Sequence, residues 1–247
     1  MSRLSVVHKA CGILMIVSLT ITGCLGSRDW QYPPPPDKTY LDATSDQQVA
    51  GSLVVVPLED KRGTEVREQY WAAAIPFVPH ASSTYDRPET IESPAPVDKL
   101  TFSPTRDFAR ALADEIRKTN VFSSVTFVDQ DQPLPPSDYV LRGQLYSTRW
   151  ERHISTYGLG PAGTLLWVAG LPMGSTRTEV EMFVQLTPAG EPDTALWGFA
   201  MEFEARETES LYRGLEDSVM NYPKGLQDAL RLATKDLVEK APERLKR

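Results

Sequence analysis

Between Thr178 and Leu186 the chain alternates: Val180, Met182, Val184 and Leu186 share one side, and Glu179, Glu181 and Gln185 share the other. Leu196 to Ala205 repeats the pattern with Trp197, Phe199, Met201 and Phe203. A period of two fits a strand with one buried face. The intervening Thr187–Thr194 (TPAGEPDT) has the composition of a turn, so the two runs predict an antiparallel hairpin. Its apolar face needs a covering layer, and two helical patterns supply one. Ser103-Pro104 opens the first, with Ser as N-cap and Pro at the first helical position. Phe108, Ala109, Leu112, Ala113 and Ile116 form its stripe, and Asn120 closes it. The second runs from about Lys224 to Lys240 with Leu226, Leu230, Ala233 and Leu237 on one side, and Pro242 is expected to stop it.

Three further runs read as strands. Ser52–Leu58 (SLVVVPL) is continuously apolar, as in a strand buried on both faces. Val125–Val128 is short, and Tyr139–Tyr146 alternates. The order of elements predicts an α+β fold: a mixed, mostly antiparallel sheet with two helices packed on one face. In 247 residues, 41% hydrophobic and 24% charged, the composition is that of a globular chain. A net charge of −7 argues against a general nucleic-acid binder, which needs a basic face. Two cysteines exclude a disulfide scaffold and a cysteine-based zinc cluster.

The first residues have the form of a targeting segment. Arg3, His8 and Lys9 precede the apolar run Cys11–Thr22, which is too short to span a bilayer. It ends in Ile21-Thr22-Gly23-Cys24, which resembles the lipobox of bacterial lipoproteins. The resemblance implies a signal peptide over 1–23, cleavage between Gly23 and Cys24, and lipidation of Cys24. Two or more acyl chains give stable anchoring where one is marginal. Leu25, where an Asp favours inner-membrane retention, points to the outer membrane, periplasmic face. Residues 24–50 carry the lipidated Cys and a tether containing Pro33–Pro36, a stiff polyproline spacer. Residues 51–247 are then expected to form a single periplasmic domain.

Val54-Val55-Val56-Pro57-Leu58-Glu59-Asp60-Lys61-Arg62-Gly63 resembles the opening strand and turn of a group of envelope proteins. That group includes the N-terminal domain of the Tol translocation protein, the curli secretion lipoprotein and the lipoprotein activators of penicillin-binding proteins. Phe108–Val128 and Asp138-Tyr139-Val140-Leu141-Arg142-Gly143 are similar to its later helix and strand, and also to auxiliary lipoproteins of lipid-transporting ABC systems. The resemblance implies a fold and an environment, not a chemistry.

This chain departs from that pattern by two insertions, about 64–103 and 157–174. Each carries an apolar stretch: Tyr70–Pro79, and Tyr157–Gly174 (YGLGPAGTLLWVAGLPMG). Connections are usually short and polar, and these are neither. Two readings stand: lids folded over the sheet as part of the core, or an exposed patch meeting a partner or a membrane leaflet. Trp71, Ile75, Phe77, Leu165, Leu166, Trp167 and Leu171 are the candidate contact residues.

Catalytic constellations are thin. Gly158-Leu159-Gly160-Pro161-Ala162-Gly163 has the letters of a dinucleotide motif, but the helix-opening context is broken by Pro161 and by the Gly170 and Pro172 that follow. His80 and His153 lack a second His at ligand spacing. Glu202 and Glu204 share a strand face, with Glu179 and Glu181 the candidates to lie opposite them in the hairpin, a pattern found both in acid–base pairs and in solvated sheets. Asp60-Lys61-Arg62 ends the first strand, where α/β proteins often bind ligands. No cofactor and no metal are expected. The expected function is a non-enzymatic accessory or interaction subunit of an envelope transport, secretion or assembly complex. The partners are then the membrane, through the lipid, and another envelope protein. The alternatives are a lipid- or glycan-binding auxiliary lipoprotein of an ABC system, and a hydrolase using the Glu202/Glu204 face.

Overall fold

The computed structural model describes residues 49–88, 90–92, 99–212 and 215–245. In chain order the strands are β1 (Val49–Val55), β2 (Glu59–Asp60), β3 (Val66–Glu68), β4 (His80–Tyr85), β5 (Thr90–Glu92) and β6 (Lys99–Thr101). There follow β7 (Phe122–Phe127), β8 (Tyr139–Ser147), β9 (Trp150–Ser155), β10 (Gly174–Pro188) and β11 (Trp197–Glu209). The helices are α1 (Pro104–Lys118), the short α2 (Thr164–Val168) and α3 (Leu215–Arg244). The fold is α+β with a mixed, mostly antiparallel sheet, as the sequence predicts.

The two alternating runs pair along their full length, from Gly174 opposite Glu209 to Leu186 opposite Trp197. On its other edge β10 meets one line of chain broken at Thr148-Arg149: β8 over its C-terminal half and β9 over its N-terminal half. β1 runs parallel to β8 on one edge and to β7 on the other. β2 continues along β8. β4 adds antiparallel to β9, with β3 outside it, so the far end of the sheet is widened by the first insertion. That insertion therefore does not fold over the sheet as a lid; it extends it. β5 and β6 pair antiparallel in a separate two-stranded sheet.

Burial follows the predicted alternation. Val180, Met182, Val184 and Leu186 join Leu141 and Leu145 beneath α1 and α3, packed on Phe108, Leu112, Ile116, Leu226, Leu230 and Leu237. Leu53, Val54 and Val55 are all buried, so the first strand is covered on both faces. Three local expectations are corrected. Ser103 has the extended backbone of a cap, but its side chain makes no capping bond. Instead Asp107 reaches back and accepts the Ser103 N–H at 2.6 Å, which also places a carboxylate at the helix's positive end. The last helix does not stop at Pro242: α3 includes Pro223 and Pro242, and the Leu245 N–H donates to Ala241 O at 2.9 Å. A proline removes one backbone hydrogen bond, whereas Leu226, Leu230, Ala233, Leu237 and Ala241 on α3 are completely buried, and tertiary packing is the main source of helix stability. The helix can lie this close because residue 225 has no side chain; a Cβ there would stand 2.1 Å from the Phe203 ring. Finally, β7 begins at Phe122, three residues before the predicted strand.

The Asp60–Arg62 turn is structural. The Arg62 guanidinium is buried and folds back on Asp60, donating from Nε and Nη2 at 2.9 Å each, while Nη1 donates to Thr148 Oγ1. This clasp fastens the β2 turn to the break between β8 and β9. The fork from Arg62 holds the Asp60 carboxyl below its ordinary value. A depressed folded-state value means that the stabilisation is complete above the unfolded carboxyl's titration, near about pH 4, and is lost as pH falls through the folded value. Asp60→Asn is therefore expected to melt lower than wild type at pH 7, and the gap should narrow steadily as the pH is lowered below about 4. A gap in thermal melts that does not change with pH would assign the effect to geometry instead of charge.

Candidate contact surface

The two insertions meet at one end of the sheet, beyond Ser155 and Gly174. From the first come a 3-10 turn, Tyr70–Ala74, and the strand residues that follow; from the second come a 3-10 turn, Gly160–Gly163, and α2. Backbone bonds join them: Phe77 N–H donates to Gly158 O at 2.7 Å, and Thr156 and Tyr157 N–H both donate to Pro79 O at 3.1 Å. Pro76 and Leu159 form an isolated bridge. The Thr156 hydroxyl donates to Ala73 O at 2.9 Å. At Gly160, φ is +55° and an added Cβ would stand 2.9 Å from Ala74 O. At Gly163 it would stand 2.1 Å from Thr156 O. The glycines with dinucleotide-motif spacing are thus a close-packed seam within and between the insertions.

This seam supports an apolar tip. Phe77 is 93% exposed, Leu165 70%, Trp71 68% and Val168 61%. Ile75, Leu171, Tyr157, Leu159 and Tyr212 are exposed around them. Residues 69–79 and 154–176 contain no Asp, Glu, Lys or Arg, so the tip is uncharged by composition. Phe77 and Tyr157 hold positive φ, +68° and +57°, costly conformations for bulky residues that persist only where the surroundings impose them. Side-chain bonds brace the rest: Trp167 Nε1–H donates to Ser155 O at 2.8 Å, Tyr157 O–H to Pro172 O at 2.7 Å, and Tyr212 O–H to Val168 O at 2.8 Å.

Of the sequence-predicted contact residues, Trp71, Ile75, Phe77, Leu165 and Leu171 are exposed together here. Leu166 and Trp167 are half-buried, and the Trp167 indole N–H is tied to the end of β9. The second insertion is not a lid either, because it stands at the sheet end. Tyr157, Leu159, Val168 and Tyr212 belong to the surface but were not singled out. For Leu159 and Val168 the uncharged run was the available signal, whereas Tyr212 is placed by the end of β11 and has none. Gly23 and Cys24 lie outside the described residues, as does the tether up to residue 48.

Directly beneath the tip is a buried ion pair. Arg152 donates from Nε and Nη2 to Glu209 Oε2, at 3.2 and 2.8 Å, and Thr176 Oγ1 bonds Oε1 of the same carboxylate. Both charged side chains are buried. The Met173 N–H donates to Glu209 O at 2.7 Å, so the pair is coupled to the end of the second insertion. Tyr70 packs alongside, and burial pushes its phenol above the ordinary value.

The other candidates fall elsewhere. Glu202 and Glu204 are on the solvent face opposite Glu181 and Glu179, and Glu204 is held by Arg177 at 2.9 Å. His153 sits mid-strand in β9 opposite Ser82, not at a strand end, and His80 pairs opposite Ser155. Among the described residues no group of three or more His, Cys, Asp or Glu is placed to hold a metal ion. Nor, among them, is any helix long and apolar enough to cross a membrane.

No family model matches the chain, and no curated protein matches it. Among solved structures it is similar to a Xanthomonas campestris protein described under the family DUF330, at 10% identity and a TM-score of 0.42. That alignment covers 90% of this chain and all of the other. A second, uncharacterised protein matches at 10% identity and a TM-score of 0.36, over 87% of this chain and 97% of the other.

Proposed function

We propose that this chain is a non-enzymatic outer-membrane lipoprotein of the bacterial envelope, anchored through Cys24. In this reading it is an accessory subunit of a transport, secretion or assembly complex, and the apolar tip is its contact surface. The observation that carries the reading is the tip itself: large apolar side chains at high exposure on a braced, uncharged platform. Exposed apolar patches of this kind mark interaction sites, and aromatic residues are frequent anchors in them.

The direction of the chain favours a protein partner over the leaflet that holds the lipid. β1 enters beside the first residues of β7 and β8, whereas the tip lies beyond the last residue of β9. At about 3.3 Å per residue, roughly 50 Å of strand separates them. The tip is therefore at the end of the sheet opposite the point where the chain enters β1.

The test places a photo-crosslinking residue at Phe77, at Leu165 and at Glu202 in the full chain in native envelopes. Phe77 and Leu165 are expected to capture the same envelope protein, and Glu202 is not. Combining Trp71→Ser, Phe77→Ser and Leu165→Ser should abolish that adduct while lowering the melting temperature by less than about 3 °C, since exposed substitutions cost little. Adducts only to lipid, or equal capture at Glu202, would overturn the reading.

A further inference from the structure

Away from the tip, the sheet face opposite α1 and α3 holds a cleft of about 490 Å³. Its floor is Arg142 and Gln144 on β8 with Phe183 and Gln185 on β10; Gln185 is directly opposite Arg142 and Phe183 opposite Gln144. One wall is Val56–Glu59. Val55 pairs with Leu141 and Glu59 with Gln144, so four steps on that chain match three on β8. The extra residue is a bulge at Pro57 that bows the chain off β8. The other wall is the 128–134 segment. Across β10 from the cleft is Gly198, where a Cβ would stand 3.0 Å from the Phe183 ring. The ring therefore lies over a position with no side chain and borders the cleft.

Arg142 is the anomaly. Its side chain is half-buried, its Nε is shut off from solvent, and it has no hydrogen-bond partner among the described residues. The carboxylates lining the cleft are engaged elsewhere: Asp129 with Arg106 at 2.9 Å, and Glu59 with Lys61 and with Gln144 Nε2. Burying a guanidinium N–H without an acceptor is unfavourable. Its planar fork is complementary to a carboxylate, which it binds bidentately. Around it, the amides of Gln130, Gln132 and Gln185 offer neutral donors and acceptors, and Phe183 offers an apolar platform. The volume is in the range of small-molecule sites.

The geometry points to a binding site for a short peptide with a free C-terminal carboxylate: Arg142 takes the carboxylate, the glutamine amides meet the peptide groups, and Phe183 takes an apolar side chain. This site is independent of the apolar tip.

The test titrates the full chain with N-acetyl dipeptides ending in Ala, Leu or Phe, with their C-terminal amides, and with inorganic phosphate. Saturable binding of at least one free acid is expected, at least tenfold tighter than its amide. Arg142→Gln should weaken it at least tenfold and Arg142→Lys by less. Gln185→Glu provides Arg142 with an internal carboxylate, so it should abolish binding while melting no lower than wild type; it carries the test if Arg142→Gln fails to fold. Equal binding of acid and amide, binding of phosphate alone, no saturable binding by any probe, or unchanged binding by Gln185→Glu would each overturn the assignment.

Discussion

Replacing Arg152 by leucine is expected to lower the unfolding free energy by about 3–5 kcal/mol, because it leaves the Glu209 carboxylate buried without its counter-charge. Among the described residues, the Thr176 hydroxyl then remains as the side-chain donor to Glu209. For a domain of this size that loss corresponds to a fall in melting temperature of roughly 10 °C. The double variant Arg152→Leu, Glu209→Leu should recover most of it, since a buried ion pair is often no more stabilising than an apolar pair of similar volume. Denaturant melts of the three variants at pH 7 measure this directly. Additive losses in the double variant would show that the two charges do not act as a pair.

Trp197→Ala should cost a similar amount, about 3–5 kcal/mol, for a different reason: it empties a fully buried site in the core. The indole is buried, stacks on Phe199 with centroids 6.1 Å apart, and donates from Nε1 to Asp236 Oδ2 at 2.8 Å, which ties β11 to α3. Trp197→Phe keeps much of the volume and drops the hydrogen bond, so its loss should be smaller, on the order of 1–2 kcal/mol. Arg152 and Trp197 lie towards opposite ends of the sheet. Their losses should therefore add to within a few tenths of a kcal/mol when combined. If Trp197→Phe proves as costly as Trp197→Ala, the tie to α3 dominates over packing.

The hairpin and the two large helices were legible because each is written in hydrophobic period, and the first strand because it is a continuous apolar run. β3 and β4 were not. Within β4 (HASSTY) Ser83 and Thr84 are buried on opposite faces, and buried polar residues give no alternating hydrophobic signal. The place of β4 is fixed by pairing with β9, a contact between distant parts of the chain, and that of β3 by pairing with β4. β9 (WERHIS) was hidden for a related reason: Arg152 occupies a buried position that reads as exposed until Glu209 is seen beneath it. The tip was half legible. The apolar character of Trp71, Phe77 and Leu165 was plain, but whether such residues are core or surface depends on where the insertions leave the sheet. The Arg142 cleft was not legible, since it depends on a one-residue mismatch between β8 and the chain around Pro57.

β1 is flanked on both edges by parallel neighbours, and the chain enters at its N-terminal end. There Ser52 donates from its backbone N–H to Asp138 Oδ2 at 2.7 Å and from its hydroxyl at 2.9 Å. A pull on the chain ahead of Val49 acts along the strand axis. The hydrogen bonds to β7 and β8 then share the tension in shear and must yield together; they cannot be unzipped one by one as at a frayed edge. A domain suspended from that side hangs from a strand that is held along both edges.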